Sequence, residues 1–175
     1  MKKMSAASLL VLGLVASAGA RQAFADAFMQ IPGIKGSSVD GEYPDWIEVV
    51  SLTQTAEAVA KATGAAGSRS VQCSLEVVKH LDVAGPKLWA AAVTGRNLGD
   101  VQIDVRTQGN EPQVTYRIIL RGAMINAITT SGEGEYVERV VLVMNTVQLT
   151  FFSLREDGSR IPTVSTFSCK GPSAA

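Results

Sequence analysis

The sequence predicts a mainly β protein: a small barrel of antiparallel strands with one short flanking helix. Three observations carry that expectation. Apolar and polar residues alternate with period two at 71–77, 101–106 and 114–121. Turn residues punctuate these runs, as at Gly109-Asn110 and Asp157-Gly158. One segment, from Pro86 to Gly95, has the proline-in, glycine-out signature of a helix. Many strands with a single helix suit a barrel or a sandwich.

Each element has its own reason. Phe28-Met29-Gln30-Ile31 is a short strand stopped by Pro32-Gly33. An acidic turn, Asp40-Gly41-Glu42-Tyr43-Pro44-Asp45, leads into a run over 46–55 that is rich in β-formers, among them Ile47, Val49, Val50 and Leu52. Residues 56–70 are small and include Gly64 and Gly67, so they read as a long mobile loop. In the next strand Val71, Cys73, Leu75 and Val77 alternate with Gln72, Ser74 and Glu76, which makes it half-buried. Asp82 precedes the helix, and Leu88-Trp89-Ala90-Ala91-Ala92-Val93 fills it. That content is too apolar for a free surface helix, so it must pack on a sheet. Strands follow at 101–106 and 114–121, with the apolar pattern continuing to Ile128. Residues 137–152 read as one long strand, and 163–167 as its hairpin partner.

The N-terminus reads as a secretory signal peptide, residues 1–25, ahead of a single domain at 26–175. Lys2 and Lys3 form the positive region and Leu9-Leu10-Val11-Leu12-Gly13-Leu14-Val15 the apolar one. Two Ala-x-Ala sites follow, Ala18-Gly19-Ala20 and Ala23-Phe24-Ala25, and cleavage between Ala25 and Asp26 is favoured. The apolar run is too short for the roughly 18–20 residues of a membrane span. No later segment is long enough either, so the mature chain is expected to be exported, to the periplasm or the extracellular space. The signal carries Lys2, Lys3 and Arg21 and no acid, so its removal turns a balance of 16 Lys+Arg and 16 Asp+Glu into an excess of three acids. Nucleic acid is therefore a poor partner. A hydrophobic content of 46% without net charge excludes disorder, and two cysteines exclude a disulfide-dense miniprotein.

Little catalytic chemistry is on offer. His80 is the single histidine, so any Ser/His/Asp hydrolase would need it, yet it follows Lys79 at a strand end and reads as a surface residue. Gly-x-Ser-x-Gly, HExxH and CxxC are absent, and Gly64-Ala65-Ala66-Gly67-Ser68 lacks the lysine of a phosphate loop. The spacing of Asp40, Glu42 and Asp45 does not match an EF-hand, so they read as a solvated turn, as do Glu133 and Glu135. No metal, cofactor or enzyme activity is expected. Cys73 and Cys169 are candidates for a disulfide in an oxidising compartment, the alternative being two separate buried thiols. A closed loop of about 95 residues would stabilise by roughly 4 kcal/mol in the chain-entropy view.

The order of these elements resembles the haemolysin-coregulated protein (Hcp) family, the inner-tube proteins of type VI secretion systems. Phe28-Met29-Gln30-Ile31-Pro32-Gly33-Ile34-Lys35-Gly36 is similar to the family's opening strand, and Ile47-Glu48-Val49-Val50-Ser51 to its second. Lys79-His80-Leu81-Asp82 with Pro86-Lys87-Leu88 resembles the family's Lys-x-x-Asp before a Pro-x-Leu helix. Tyr116-Arg117-Ile118-Ile119-Leu120, Ile128-Thr129-Thr130-Ser131-Gly132 and Glu138-Arg139-Val140-Val141-Leu142 resemble the strands after it. The likeness spans roughly 28–167. Leu52, where the family usually has an aromatic residue, and the signal peptide, where family members act from the cytoplasm, set this chain apart.

The resemblance implies a tail-tube-like barrel, homo-hexameric rings stacked into a hollow tube, small effector proteins in the lumen, secretion-apparatus partners and no enzyme activity. The competing reading is an exported binding module that keeps the barrel without tube assembly. On the tube reading, the loop over 56–70 lies at a rim where ring meets ring. Lys61, Gly64, Gly67 and Arg69 then form the stacking loop, with Asp40, Glu42 and Asp45 as acidic partners on the next ring.

Overall fold

Alternating residues become nine strands and one helix among the residues that the computed structural model describes, 26–60, 69–109, 111–155 and 158–169. They are β1 (Asp26–Gln30), β2 (Ile47–Val49), β3 (Ser51–Ala60), β4 (Arg69–His80), α1 (Gly85–Thr94), β5 (Gly99–Arg106), β6 (Val114–Ser131), β7 (Val137–Val143), β8 (Thr146–Leu154) and β9 (Arg160–Ser168). Residues 1–25, including Ala25 of the expected cleavage site, lie outside the described residues; Asp26 opens β1.

All pairings are antiparallel, and the path β2-β1-β5-β6-β7-β4-β3 curls back on itself. Its two ends, β2 and β3, are consecutive in the chain with only Val50 between them, and the Val50 N–H donates to the Val78 carbonyl at 2.8 Å. The mainly β, barrel-like fold is thus the one the sequence predicts. Two sheets share it. The first half of β6 pairs with β5 and β8, with β9 beyond; the second half pairs with β7, which leads to β4 and β3.

Gly122 marks where β6 leaves one sheet for the other. Its φ is +62°, a conformation that costs most residues steric strain, and a side chain there would meet Asn145. This crossing also corrects the single strand expected at 137–152. The chain divides at 144–145 into β7 and β8, one for each half of β6, and the Asn145 N–H donates to the Arg121 carbonyl at 3.0 Å.

The core lies between the sheets. Leu75 and Val77 from β4, Val101 and Ile103 from β5, Ile118 and Leu120 from β6, and Val140 and Leu142 from β7 are all buried. Each aliphatic side chain so buried contributes about 1.5–3 kcal/mol. Helix α1 rests on β6 through Leu88 and Ala91 and ends at Gly95, whose φ of +62° makes the left-handed stop.

A second correction concerns the loop expected at 56–70. Residues 56–60 belong to β3, and Arg69 and Ser70 to β4, so the connection shrinks to 61–68. Ala56, Glu57 and Ala58 adopt extended structure there because β4 supplies a continuous ladder from Ser51↔Val78 to Ala60↔Arg69. Lys61, Gly64 and Gly67 lie outside the described residues.

Candidate assembly surface

Directly opposed residues on antiparallel strands point to the same side, which orders the faces of the β8–β9 hairpin. Val147 and Leu149 face the core, in register with Leu120 and Ile118 of β6. Phe151 is two residues on from Leu149 and shares its face; so do Phe167, opposite Val147, and Ile161, opposite Ser153. Yet Phe151 is 53% exposed and Phe167 50%. The inner face of the first sheet runs past the second sheet that should cover it. One contact between the sheets is the Tyr116 hydroxyl, which donates to Gln54 Oε1 at 3.1 Å.

The same mismatch opens a cleft of about 530 Å³ between the sheets at their free edges, β3 and β9. Its walls are mainly apolar: Val71 and Leu75 on one side, Leu120, Val147, Leu149 and Phe167 on the other. Cys73 of β4 is bonded to Cys169, just after β9, so the pair is a disulfide tying one sheet to the other beside this cleft. A further apolar group is exposed around α1: Leu81, Val83, Trp89 and Val93.

Two charged clusters fix the surfaces. Lys79 is fully buried, its Nζ 2.7 Å from both Asp82 Oδ1 and Glu138 Oε2 and donating to the His80 carbonyl at 2.8 Å. Lys79 and Glu138 are register partners on β4 and β7. The Asp82 carboxylate also accepts from the Ala84 N–H at 2.9 Å, which sets the start of α1 against the second sheet. The alternation that turns Cys73, Leu75 and Val77 inward carries on to Lys79, and that of Val140 and Leu142 runs back to Glu138, so phase turns both inward and the β4–β7 register then pairs them.

The second cluster covers the outer face of the first sheet. Asp104 accepts from Arg117 Nε and Nη2 at 2.7 Å each and from the Tyr43 hydroxyl at 3.2 Å. Burial, then the Asp104 charge, push the Tyr43 hydroxyl up to about 12. Tyr43 stacks on Phe28 with ring centroids 4.5 Å apart, and the Arg106 guanidinium lies 4.8 Å from the Phe28 ring.

The acidic turn is pinned to the sheet through Asp40 and the buried Tyr43, while Glu42 and Asp45 stay exposed as expected of a solvated turn. Asp40 forms a two-pronged ion pair with Arg106, whose hydrogen bonds hold its carboxyl below the usual aspartate range. Glu42 lies 3.5 Å from Arg106, and Asp45 pairs with Lys35 at 2.6 Å. All three acids expected to meet a neighbouring ring thus have cations within the subunit, with Glu42 the most exposed. No signal in the charge pattern marks Arg106 as the partner of Asp40 or Arg117 as the partner of Asp104; that needs the pairing of β5 with β1 and β6.

His80 is half-exposed, with Nδ1 3.4 Å from the exposed Glu135. Among the described residues no group of three or more His, Cys, Asp or Glu side chains is placed to hold a metal, and no helix is long and apolar enough to cross a membrane.

Comparison with known proteins gives this arrangement a family. Residues 28–155 match the family described as type VI secretion system effector, Hcp. Protein hcp1 of Pseudomonas aeruginosa is 29% identical over 142 residues, covering 77% of this chain and 88% of that protein. A solved type six secretion system protein superimposes with a TM-score of 0.71 at 20% identity, over 83% of this chain and 96% of the other. Hcp1 from Salmonella typhimurium superimposes at 0.68 with 24% identity, over 83% and 95%. A barrel with open edges, one flanking helix and this order of strands, matched from Phe28 through β8, makes the chain a member of the Hcp family of type VI secretion system effectors.

Proposed function

We propose that the protein is a tube subunit of a type VI secretion system, forming closed homo-hexameric rings that stack into a hollow tube. The observation that carries this reading is the uncovered inner face of the first sheet. Phe151, Ile161 and Phe167 continue the core stripe into solvent beside two unpaired edges, and exposed apolar surface of this kind calls for a partner. A second copy of the chain supplies one. A ring requires two different complementary surfaces on each subunit, and it removes exposed edges by closing. Small effector proteins carried in the lumen and apparatus proteins at the tube's ends are the remaining partners on this reading. The protein acts as scaffold and carrier, without catalysis.

The chain is also read as exported through its own signal peptide, with cleavage between Ala25 and Asp26. Support comes from the positive, apolar and small-residue regions of 1–25, and from a disulfide that forms most readily in an oxidising compartment. Residues 61–68, between β3 and β4 in the chain, remain the stacking loop of this reading.

Light scattering and negative-stain microscopy of the mature chain test the assembly. Rings at protein concentrations on the order of 10 µM are expected. A monomer under those conditions overturns the tube reading in favour of an exported binding module. Intact mass of the exported protein tests the signal: a chain beginning at Asp26 is expected, and retained Met1 refutes cleavage.

A further inference from the structure

Cys73 and Cys169 sit where two weakly supported ribbons meet. β7 pairs with β4 only from Ser74 to His80, so the ribbon formed by β3 and β4 has no third strand beyond that point. β9 has β8 as its strand neighbour, and every residue from Arg160 to Ser168 is exposed. The apolar cleft separates the two ribbons, and the disulfide joins them beside it. One further tie is local: the Cys169 N–H donates to the Asn145 carbonyl at 2.7 Å. Both cysteines are buried, Cys73 at 8% and Cys169 at 3% exposure.

We propose that the Cys73–Cys169 bond is a redox latch. Formed, it holds β9 and its apolar face at a fixed angle to the β3–β4 ribbon; reduced, it lets β9 move away from the cleft while the rest of the barrel stays folded. Its consequence for assembly rests on the tube reading: a loose β9 cannot present Phe167 and Ile161 in one geometry to a neighbouring subunit.

The bond forms by thiol–disulfide exchange with an oxidised dithiol carrier. One cysteine thiolate attacks the carrier's disulfide, giving a mixed disulfide and releasing the carrier's other sulfur as a thiolate. The second cysteine thiolate then displaces the carrier, which leaves as a dithiol. Two electrons pass to the carrier, and its two thiolates take up the two protons the cysteines have lost. Once β9 is docked, neither buried sulfur is open to a carrier of protein size, so the state of the latch is set while the chain folds. The subunit thereby keeps a covalent record of the compartment in which it folded.

Hydrogen exchange read by mass spectrometry tests the latch on the mature chain, oxidised or reduced with a small phosphine, and on the Cys73→Ser/Cys169→Ser variant. Amides of 160–168 should exchange faster by about tenfold or more in both reduced forms, with those of β5 and the first half of β6 unchanged. Unchanged exchange in β9 overturns the proposal. Loss of protection in β5 and β6 together with β9 also overturns it, because the bond is then a staple of the whole fold. Light scattering of the same samples reads assembly. Rings lost on reduction support the link, and rings that survive while β9 loosens refute it. A monomeric oxidised protein whose β9 still responds leaves the latch standing and removes the tube reading. Rings in both states with an unresponsive β9 do the reverse.

Discussion

At the scale of single residues, Lys79 is a fully buried cation that persists because two carboxylates and a carbonyl replace its water. Lys79→Met leaves Glu138, only 2% exposed, as a buried charge without its cation. The expected cost is about 3–5 kcal/mol, read from urea unfolding. Adding Glu138→Leu should recover at least half of it, since apolar residues replace a buried ion pair at little net cost. Tyr43 gives a pH-dependent counterpart. Its hydroxyl is held to about 12 in the folded chain, whereas the unfolded chain ionises near 10. Above pH 10 the unfolded state loses a proton that the folded state keeps, so stability falls as pH rises and levels off past about 12. The loss should reach about 2–3 kcal/mol, and Tyr43→Phe should remove this phase from a plot of unfolding free energy against pH.

At the scale of elements, β6 organises the fold because one strand serves both sheets. Gly122→Ala tests the crossing. A side chain at φ +62° is strained, and it forces the Asn145 amide aside, so a loss of about 1–2 kcal/mol is expected in thermal or urea unfolding. The crossing was not legible in the sequence. Alternation gave the strands and their inward phase, from Cys73 to Val77 and from Val101 to Ile103, because a half-buried strand writes its pattern locally. The split of 137–152 leaves no such trace: Met144 and Asn145 interrupt a β-rich run only because each half of β6 needs its own neighbour. The tie between Asp40 and Arg106 is equally silent, since 66 residues separate the partners. Residues 56–60 misled for the opposite reason, as their small side chains are poor local evidence for a strand that the β4 ladder then imposes. Of the candidate assembly surface, the inward phase of Cys73 was legible, whereas its pairing with Cys169 stays open against two separate buried thiols until β9 is placed beside the β3–β4 ribbon. The exposure of Phe151 was not legible, because that depends on where the second sheet stops.

At the scale of the whole molecule, the face proposed to carry assembly is separable from the core that carries folding. Phe151 continues the inner stripe of the first sheet, yet it is 53% exposed in the subunit. Phe151→Glu therefore removes little packing within the subunit, and the unfolding free energy should change by no more than about 1 kcal/mol. In an assembled ring the same position would be covered by a neighbour. A carboxylate there would lose its water without gaining a cation, at a cost of several kcal/mol per joint. A closed ring repeats one joint as many times as it has subunits, so the penalty multiplies and closure fails before folding does. The expected outcome is a folded monomer at concentrations where the unaltered chain is a ring, read by light scattering beside a urea titration. Val39→Glu is the control. Val39 is an apolar residue 95% exposed just before the acidic turn, outside β8 and β9, and its change should leave both ring and stability as they were. Loss of rings in both variants would point to added negative charge as the cause, and rings in Phe151→Glu would place the subunit joint on another surface.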